Sequence, residues 1–155
     1  MIETLARTPD RVHALLDGVC QGELSRKPAP DVFSLRENVL HLRDIDIEGY
    51  EERIAHILDE DHPFLADVDG AKLAIERDYN NQPLAPALQA FAQSRARSME
   101  RLIGADLDRT AELEGVGTVT LRSLLERWVE HDAGHLADIE ALLAGRVGRT
   151  TATAV

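Results

Sequence analysis

The sequence of 155 residues has little cysteine, few aromatic side chains and no long apolar run. Its single cysteine, Cys20, excludes an internal disulfide framework and suits a reducing compartment. No apolar stretch approaches the roughly 20 residues that a membrane helix needs. The first residues also lack the basic and then apolar layout of a secretory signal. We therefore expect a cytoplasmic protein with no membrane partner.

Basic residues are also fewer than acidic ones, 17 against 28, which gives a formal net charge of -11. A surface of that sign repels phosphate backbones, so we expect no nucleic-acid partner. The length fits one domain that buries its own core without a disulfide or metal staple. We assign residues 1–145 to a single helical domain. Residues 146–155, rich in Thr, Ala and Gly, are predicted to form a flexible tail.

Aromatic residues make up only 4% of the chain and strand-like alternation is nearly absent, so the predicted fold class is all-α. Helix caps, breakers and apolar periodicity indicate four amphipathic helices, at residues 8–22, 34–58, 86–104 and 120–145. Thr8 and Pro9 would begin the first, and a capping box of Ser34 and Glu37 the second. These elements predict a four-helix bundle, with a short extra helix at residues 71–79 between the second and third helices.

Two of the six histidines interrupt the apolar face of the last helix. At about 100° per residue, His131 and His135 fall on one stripe with its apolar side chains. An i, i+4 pair points both imidazoles the same way, as in the zinc-binding HExxH helix. Two buried imidazoles without a shared partner would be costly, so the pair indicates a metal site. A pair of hydrogen-bonded core histidines is the alternative.

The other histidines are weaker candidates when each is taken alone. His41 lies in the middle of the second helix at the edge of its apolar face, and its candidacy depends on the pair across the bundle. His13 lies beside polar residues, His56 near a helix end and His62 in a loop, and we assign them no site. We interpret Cys20 as a buried structural thiol.

The second helix carries apolar residues on two faces. Its first half places Leu35, Leu42 and Ile45 on one side, whereas Tyr50 and Ile54 lie on a rotated face in its second half. One bundle face covers only part of such a circumference. We therefore expect a second copy of the chain to cover the rest, in a homodimer.

Three segments of the chain resemble the DinB/YfiT-like superfamily, namely SLRENVLHL at 34–42, GTVTL at 117–121 and WVEHDAGHL at 128–136. A histidine on the second helix is followed, about ninety residues later, by HxxxH on the last helix. The order of elements fits from about residue 5 to residue 144. One departure is Asp138, since many relatives have Gln three residues after the last histidine.

The resemblance implies an up-down-down-up four-helix bundle, often a homodimer, with one divalent ion on His41, His131 and His135. Members of the superfamily include metal-dependent transferases that use low-molecular-weight thiols such as mycothiol or bacillithiol. The leading hypothesis is therefore a metal-dependent enzyme that transfers such a thiol to a small electrophile, or a hydrolase-like relative. A non-catalytic metal- or ligand-binding bundle with a sensing or structural role is the alternative, and a plain interaction domain is a third. Catalytic residues are not assigned.

Three neutral imidazoles leave a divalent ion with an open position for a thiol or water. Such ligands suit Zn²⁺, Ni²⁺ and Fe²⁺ alike, so the sequence does not choose the metal. Three carboxylates near the ligands are candidates for orienting the imidazoles, with solvated surface charges as the alternative: Asp44, Asp132 and Asp138. Four basic residues are candidates for holding a thiol cofactor, although spacing alone places none of them: Arg36, Arg43, Arg95 and Arg122.

Overall fold

The computed structural model describes the backbone of residues 1–152 and the side chains of residues 1–145. Helices and strands follow in the order α1 (Ile2–Leu16), α2 (Gln21–Leu24), α3 (Leu35–Asp44), α4 (Glu52–Asp59), β1 (Phe64–Leu65), α5 (Gly70–Glu76), α6 (Leu84–Arg101), β2 (Thr110–Leu113), β3 (Gly117–Thr120) and α7 (Leu121–Ala152). A π-helical segment, Ile45–Glu51, joins α3 to α4 without a break. A 3₁₀ turn, Tyr79–Asn81, precedes α6.

Four long helical units form the bundle: α1, the continuous unit from α3 to α4, α6 and α7. Each of α1 and α3 packs against both α6 and α7, so the first two long helices lie across the bundle from each other. This arrangement confirms the predicted four-helix bundle and its up-down-down-up order. The short extra helix predicted at residues 71–79 is also present, as α5.

The first helix begins at Ile2 rather than at Pro9, and Pro9 lies inside it. Thr8 is therefore not the N-cap, and its hydroxyl donates to the carbonyl oxygen of Thr4 at 3.3 Å. Proline has no N–H to donate to the carbonyl oxygen four residues earlier, which is that of Leu5. Arg95 on α6 donates to this oxygen through Nη1 at 2.5 Å. A side chain from a neighbouring helix thus satisfies the acceptor that the proline leaves free.

The second helix begins with the predicted capping box. Ser34 Oγ accepts from the backbone N–H of Glu37 at 3.1 Å, and Glu37 Oε2 accepts from that of Ser34 at 2.7 Å. The π-helical turn that follows α3 changes which side chains face the bundle. Leu42 before the turn and Ile54 after it are both fully buried within one chain. The chain itself covers these residues of both faces, so their apolar character does not require a second copy. The homodimer is not tested and stays a prediction.

Three short strands form a small sheet that the sequence did not predict. β2 pairs with β1 in parallel and with β3 in antiparallel orientation, with Thr110 opposite Thr120. The turn between β2 and β3 contains Gly115, whose φ of +73° favours glycine. Strands of two to four residues are too short for alternation to be visible in the sequence.

The end of the last helix and the position of Cys20 differ from the predictions. The predicted end of the last helix at Gly145 is wrong, because α7 continues to Ala152 and an isolated glycine weakens a helix without ending it. The flexible tail predicted at residues 146–155 lies partly outside the described residues and stays a prediction. Cys20 is exposed rather than buried, because it lies in the turn before α2.

Among the helices that the structure describes, none is long and apolar enough to span a membrane. The cytoplasmic location and the lack of a nucleic-acid partner stay predictions.

The apolar core consists of two clusters that divide α7 between them. The first includes Trp128, and the second begins further along α7 at Leu136. The interval between these two residues contains His131, Asp132 and His135. These polar side chains of α7 therefore lie between the two apolar clusters.

Candidate metal site

The three histidines that were predicted to be ligands come together inside the bundle. His41 on α3 and His131 and His135 on α7 each offer one ring nitrogen, and these atoms lie within 4.8 Å of one another. The Nε2 atoms of His41 and His131 are 3.1 Å apart. Two nitrogens bound to one zinc ion at about 2.0–2.1 Å with a tetrahedral angle lie about 3.3 Å apart. The His41–His131 pair thus has nearly the spacing of two ligands of one ion, and the nitrogen of His135 lies within 4.8 Å of both.

Burial keeps two of these imidazoles neutral. Burial and, next, the charge of His131 lower the pKa of His41 to about 4, against the opposing effects of Asp44 and the Gly70 backbone. Burial, with the charges of His131 and His41, lowers the pKa of His135 to about 3. A neutral imidazole keeps a lone pair that it can offer to a cation. At neutral pH, His41 and His135 are therefore in the form that binds metal.

Asn38 fixes the tautomer of His135. Its Nδ2 donates to the carbonyl oxygen of Ser34 at 2.9 Å, so its Oδ1 is the atom that faces His135 Nδ1, at 2.8 Å. An amide oxygen only accepts, so Nδ1 carries the proton and Nε2 keeps its lone pair for a metal. Asn38 was not among the residues predicted from the sequence to belong to the site. The available signal was a polar residue one turn before His41 on the buried side of the helix.

Packing holds the outer sides of the His41 and His131 rings, because within the part of the chain that the structure describes their buried Nδ1 atoms have no hydrogen-bond partner. Gly70 at the start of α5 lies directly against His41. A Cβ at position 70 would be 2.3 Å from Cε1 and 2.6 Å from Nδ1 of that ring. Phe33 packs beside His41 as well, with the ring centroids 5.4 Å apart. His131 Nδ1 is 3.9 Å from Asp132 Oδ1, which is too long for a hydrogen bond.

A buried ion cluster centred on Arg95 lies next to the histidines. Arg95 donates to both carboxylate oxygens of Asp46, at 3.0 and 2.8 Å, and to both of Asp132, at 2.8 and 3.2 Å. Trp128 Nε1 donates to Asp46 Oδ1 at 3.1 Å. Burial raises the pKa of Asp46 to about 6, although Arg95 opposes this. Burial also acts to raise the pKa of Asp132, but His131 and Arg95 hold it below its ordinary value.

The three carboxylates that were candidates for orienting the imidazoles form no hydrogen bond to them among the described residues. Asp44 is buried and accepts hydrogen bonds from three side chains, those of Arg43, Arg77 and Tyr79. Asp132 belongs to the Arg95 cluster. Asp138 is exposed, so the alternative of an ordinary solvated charge holds for this residue only. For His135, the side-chain amide of Asn38 orients the ring, which is the role that was predicted for a carboxylate.

The four basic candidates for holding a thiol have partners of their own. Arg36 donates to Gln21 and to the carbonyl oxygen of Gln82, and Arg43 to Asp44 and the Gln82 side chain. Arg95 is enclosed in the core, and Arg122 pairs with Asp108 on the surface. Cofactor-binding residues therefore stay unassigned.

The three histidines that were given no site lie outside the cluster, as expected. His13 is exposed on α1. His56 bonds to Glu60, and His62 to Thr110 at 2.8 Å.

The fold and the cluster define a class: helical bundles that bring three histidines from two helices to one point, in the manner of a divalent-ion site. The family model of the DinB superfamily matches residues 4–139. The chain belongs to the DinB superfamily, which confirms the resemblance seen in the sequence.

Two relatives show how far the likeness extends. A protein of Halalkalibacterium halodurans named "putative metal-dependent hydrolase BH0277" is 24% identical over 145 residues, which cover 92% of this chain and 84% of the relative. The solved structure of YfiT from Bacillus subtilis matches with a TM-score of 0.85 at 20% identity, over 95% of this chain and 85% of that one. YfiT is described as a probable metal-dependent hydrolase with an unusual four-helix bundle topology. At this identity, the structural match shows that the fold is shared.

Proposed function

We propose that the chain is a metal-dependent enzyme that holds one divalent ion on His41, His131 and His135. The observation that carries the proposal is the convergence of three imidazole nitrogens within 4.8 Å inside the bundle. When bound, such an ion lowers the pKa of a thiol or water in its open position and so supplies a nucleophile at neutral pH. The description of relatives as metal-dependent supports a role for the ion.

We favour a low-molecular-weight thiol over water as the nucleophile. An unassisted thiol has a pKa of about 8.5 against about 15.7 for water, so it needs less help to ionise. Over the residues that the structure describes, the three-histidine group includes no carboxylate that could take a proton from water. Asp132, next in sequence to His131, is held by Arg95. The second substrate is then a small organic electrophile such as an organic halide. The thiolate sulfur forms a bond to its carbon, the carbon–halogen bond breaks, and halide leaves with the bonding electrons.

The chain's own side chains orient the ligands and limit access of water to them. Asn38 holds the tautomer of His135. Phe33 lies beside His41, and Tyr50 beside His131 with the ring centroids 6.1 Å apart. Apolar neighbours lower the local dielectric, which strengthens the interaction between a cation and a developing thiolate.

The test is a turnover assay with the full chain loaded separately with Zn²⁺, Ni²⁺ or Fe²⁺. The electrophile is 1-chloro-2,4-dinitrobenzene, offered with glutathione, cysteine, bacillithiol or mycothiol, and 4-nitrophenyl acetate without thiol serves as the hydrolase substrate. We expect product formation that needs both the metal and a thiol and that is lost in His131→Ala/His135→Ala. Metal-dependent ester hydrolysis without any thiol reaction would replace the transferase by a hydrolase. Metal binding without either reaction would favour the non-catalytic bundle.

A further inference from the structure

A cavity of about 440 Å³ lies beside Phe33, which packs against the candidate metal ligand His41. Its apolar lining comes from the segment before α3 and from α5 to Tyr79, and consists of Pro30, Phe33, Ala71, Ala74, Ile75 and Tyr79. Its volume falls in the range of about 300–1,000 Å³ that is usual for small-molecule sites. The cavity is thus large enough for a small organic molecule.

One lining residue, and the neighbour in sequence of another, contact the ring of His41. On one side Phe33 packs against the imidazole, with the ring centroids 5.4 Å apart. On the other side Gly70, which directly precedes the lining residue Ala71, lies so close to the ring that a Cβ would overlap it. The side chain of Phe33 and the first residues of α5 are therefore all that separates an occupant of the cavity from His41, a candidate metal ligand.

The charges of the lining oppose an anionic occupant. Lys27, the only basic side chain among the lining residues described, is paired with Glu37 at 3.0 Å. The other charged residues of the lining are Asp31 and Asp78. The whole chain also carries a formal net charge of -11. Such a field repels anions and accepts neutral or cationic molecules.

We propose that this cavity binds the apolar body of a small uncharged or cationic organic substrate and holds it against Phe33, on the side of that ring away from His41. That the occupant is a substrate rests on the proposed function, whereas binding in the cavity does not require catalysis. A thiol with a net negative charge is not the occupant of this cavity.

Three aromatic probes of similar size and different charge test the proposal: benzyl alcohol, benzyltrimethylammonium and benzenesulfonate. Each is titrated into the ¹⁵N-labelled, Zn²⁺-loaded full chain and followed by amide chemical shifts. We expect the neutral and cationic probes to shift the amides of Phe33, Ala71 and Ile75, with Kd at least tenfold lower than that of benzenesulfonate. Equal binding of all three probes, or shifts confined to other parts of the chain, would overturn the proposal.

Two variants and a matched control make the result specific to the cavity. Ala71→Trp introduces a large side chain at an exposed position of the lining and should weaken both favoured probes at least tenfold. Ala137→Trp, at an exposed position on α7 outside the lining, should leave their Kd unchanged. Ile75→Lys, at a lining position that is 83% exposed, should reduce the preference for the cation over the anion. Unchanged probe binding in Ala71→Trp would overturn the assignment.

Metal analysis of the same samples separates this proposal from the proposed function. Metal content equal to that of wild type in Ala71→Trp, together with lost probe binding, supports the cavity. A wild-type chain that binds no metal but still selects the same probes at the same amides overturns the metalloenzyme and supports the cavity as a binding site.

Discussion

His131 and Asp132 are neighbours on α7, yet they belong to two polar clusters that differ in their hydrogen bonding. Every N–H group of Arg95 donates, to Asp46, to Asp132 or to the carbonyl oxygen of Leu5. In contrast, among the side chains that the structure describes, nothing pairs with the Nδ1 atoms of His41 and His131. The Arg95 cluster is complete without a ligand. In the histidine cluster one ring nitrogen of each residue converges on the others, and the neutral rings of His41 and His135 each keep a lone pair for a ligand.

The complete cluster also connects the four units of the bundle. Arg95 lies on α6 and contacts Leu5 of α1, Asp46 of the π-helical segment and Asp132 of α7. Its charges are almost fully buried, with 1% of the Arg95 and Asp46 side chains exposed. Such a cluster holds the helices in place beside the histidines. We therefore assign it a structural role and assign ligand binding to the histidines.

The largest effect should come from breaking the complete cluster. Arg95→Met leaves two buried carboxylates without their partner, and we expect a loss of about 3–5 kcal/mol in the free energy of unfolding. Arg97→Met is the matched control on α6, because Arg97 is 53% exposed and pairs with Glu51 on the surface. It should cost less than about 1 kcal/mol. Urea unfolding measures both, and similar losses would contradict the distinction between the clusters.

A methyl group at Gly70 should disturb the histidine cluster and leave the Arg95 cluster intact. Its Cβ would lie 2.3 Å from His41 Cε1, so the ring must move. We expect Gly70→Ala to weaken Zn²⁺ binding towards the upper end of the roughly 10- to 100-fold range seen when the surroundings of metal ligands are changed. Gly134→Ala lies next to His135, and a Cβ there would meet no atom of the described residues within 4 Å, so this control should leave the affinity unchanged. Titration calorimetry compares the two, and equal affinities would contradict the role of Gly70.

Loss of the hydrogen bond to His135 should have a smaller effect. Asn38→Ala removes the acceptor for Nδ1–H, and we expect Zn²⁺ affinity to fall about tenfold. Asn38→Asp keeps an acceptor at that position and should restore most of the affinity. If Asn38→Asp binds as weakly as Asn38→Ala, the tautomer argument fails and the side chain acts through packing alone.

The pH dependence of the metal-free chain should show the smallest effect. Unfolded imidazoles take up a proton near pH 6.5, whereas the folded-state pKa values are about 4 for His41 and about 3 for His135. Between these values the unfolded state binds more protons, so the free energy of unfolding falls as the pH falls from 6.5 towards 4. Asp46, with its pKa raised to about 6, acts in the opposite direction.

His135→Gln isolates this contribution, because Asp46 titrates in both proteins and its effect cancels. We expect the variant to lose less stability than wild type between pH 7 and about pH 4.5. Urea unfolding in the presence of a chelator provides the comparison. Parallel losses would mean that His135 does not titrate with a lowered pKa.

The parts of the molecule that depend on local signals were predictable from the sequence. The capping box of Ser34 and Glu37 is present as predicted, because two side chains and two backbone amides three residues apart determine it. The pairing of His131 and His135 followed from helical periodicity on α7. His41 joined them through the family resemblance, and the structure brings its ring beside theirs.

Features that depend on tertiary contacts were missed. Pro9 was assigned to a helix start, although it lies within α1, where Arg95 compensates for its missing hydrogen bond. Asp132 was a candidate for orienting the imidazoles or for a solvated surface charge, although its partner is Arg95, which lies 37 residues away in sequence. The π-helical turn that rotates the second helix leaves no sequence signal of its own, and its rotated apolar residues suggested a dimer contact instead.

Metal stoichiometry tests the difference between the two clusters most directly. The wild-type chain is loaded with Zn²⁺, Ni²⁺ or Fe²⁺, freed of loosely bound ion, and compared by elemental analysis with His131→Ala/His135→Ala. His13→Ala/His56→Ala, which changes two histidines outside the cluster, is the control. We expect one tightly bound ion per chain in wild type and control, and none in His131→Ala/His135→Ala. Equal metal content in all three proteins would contradict the site.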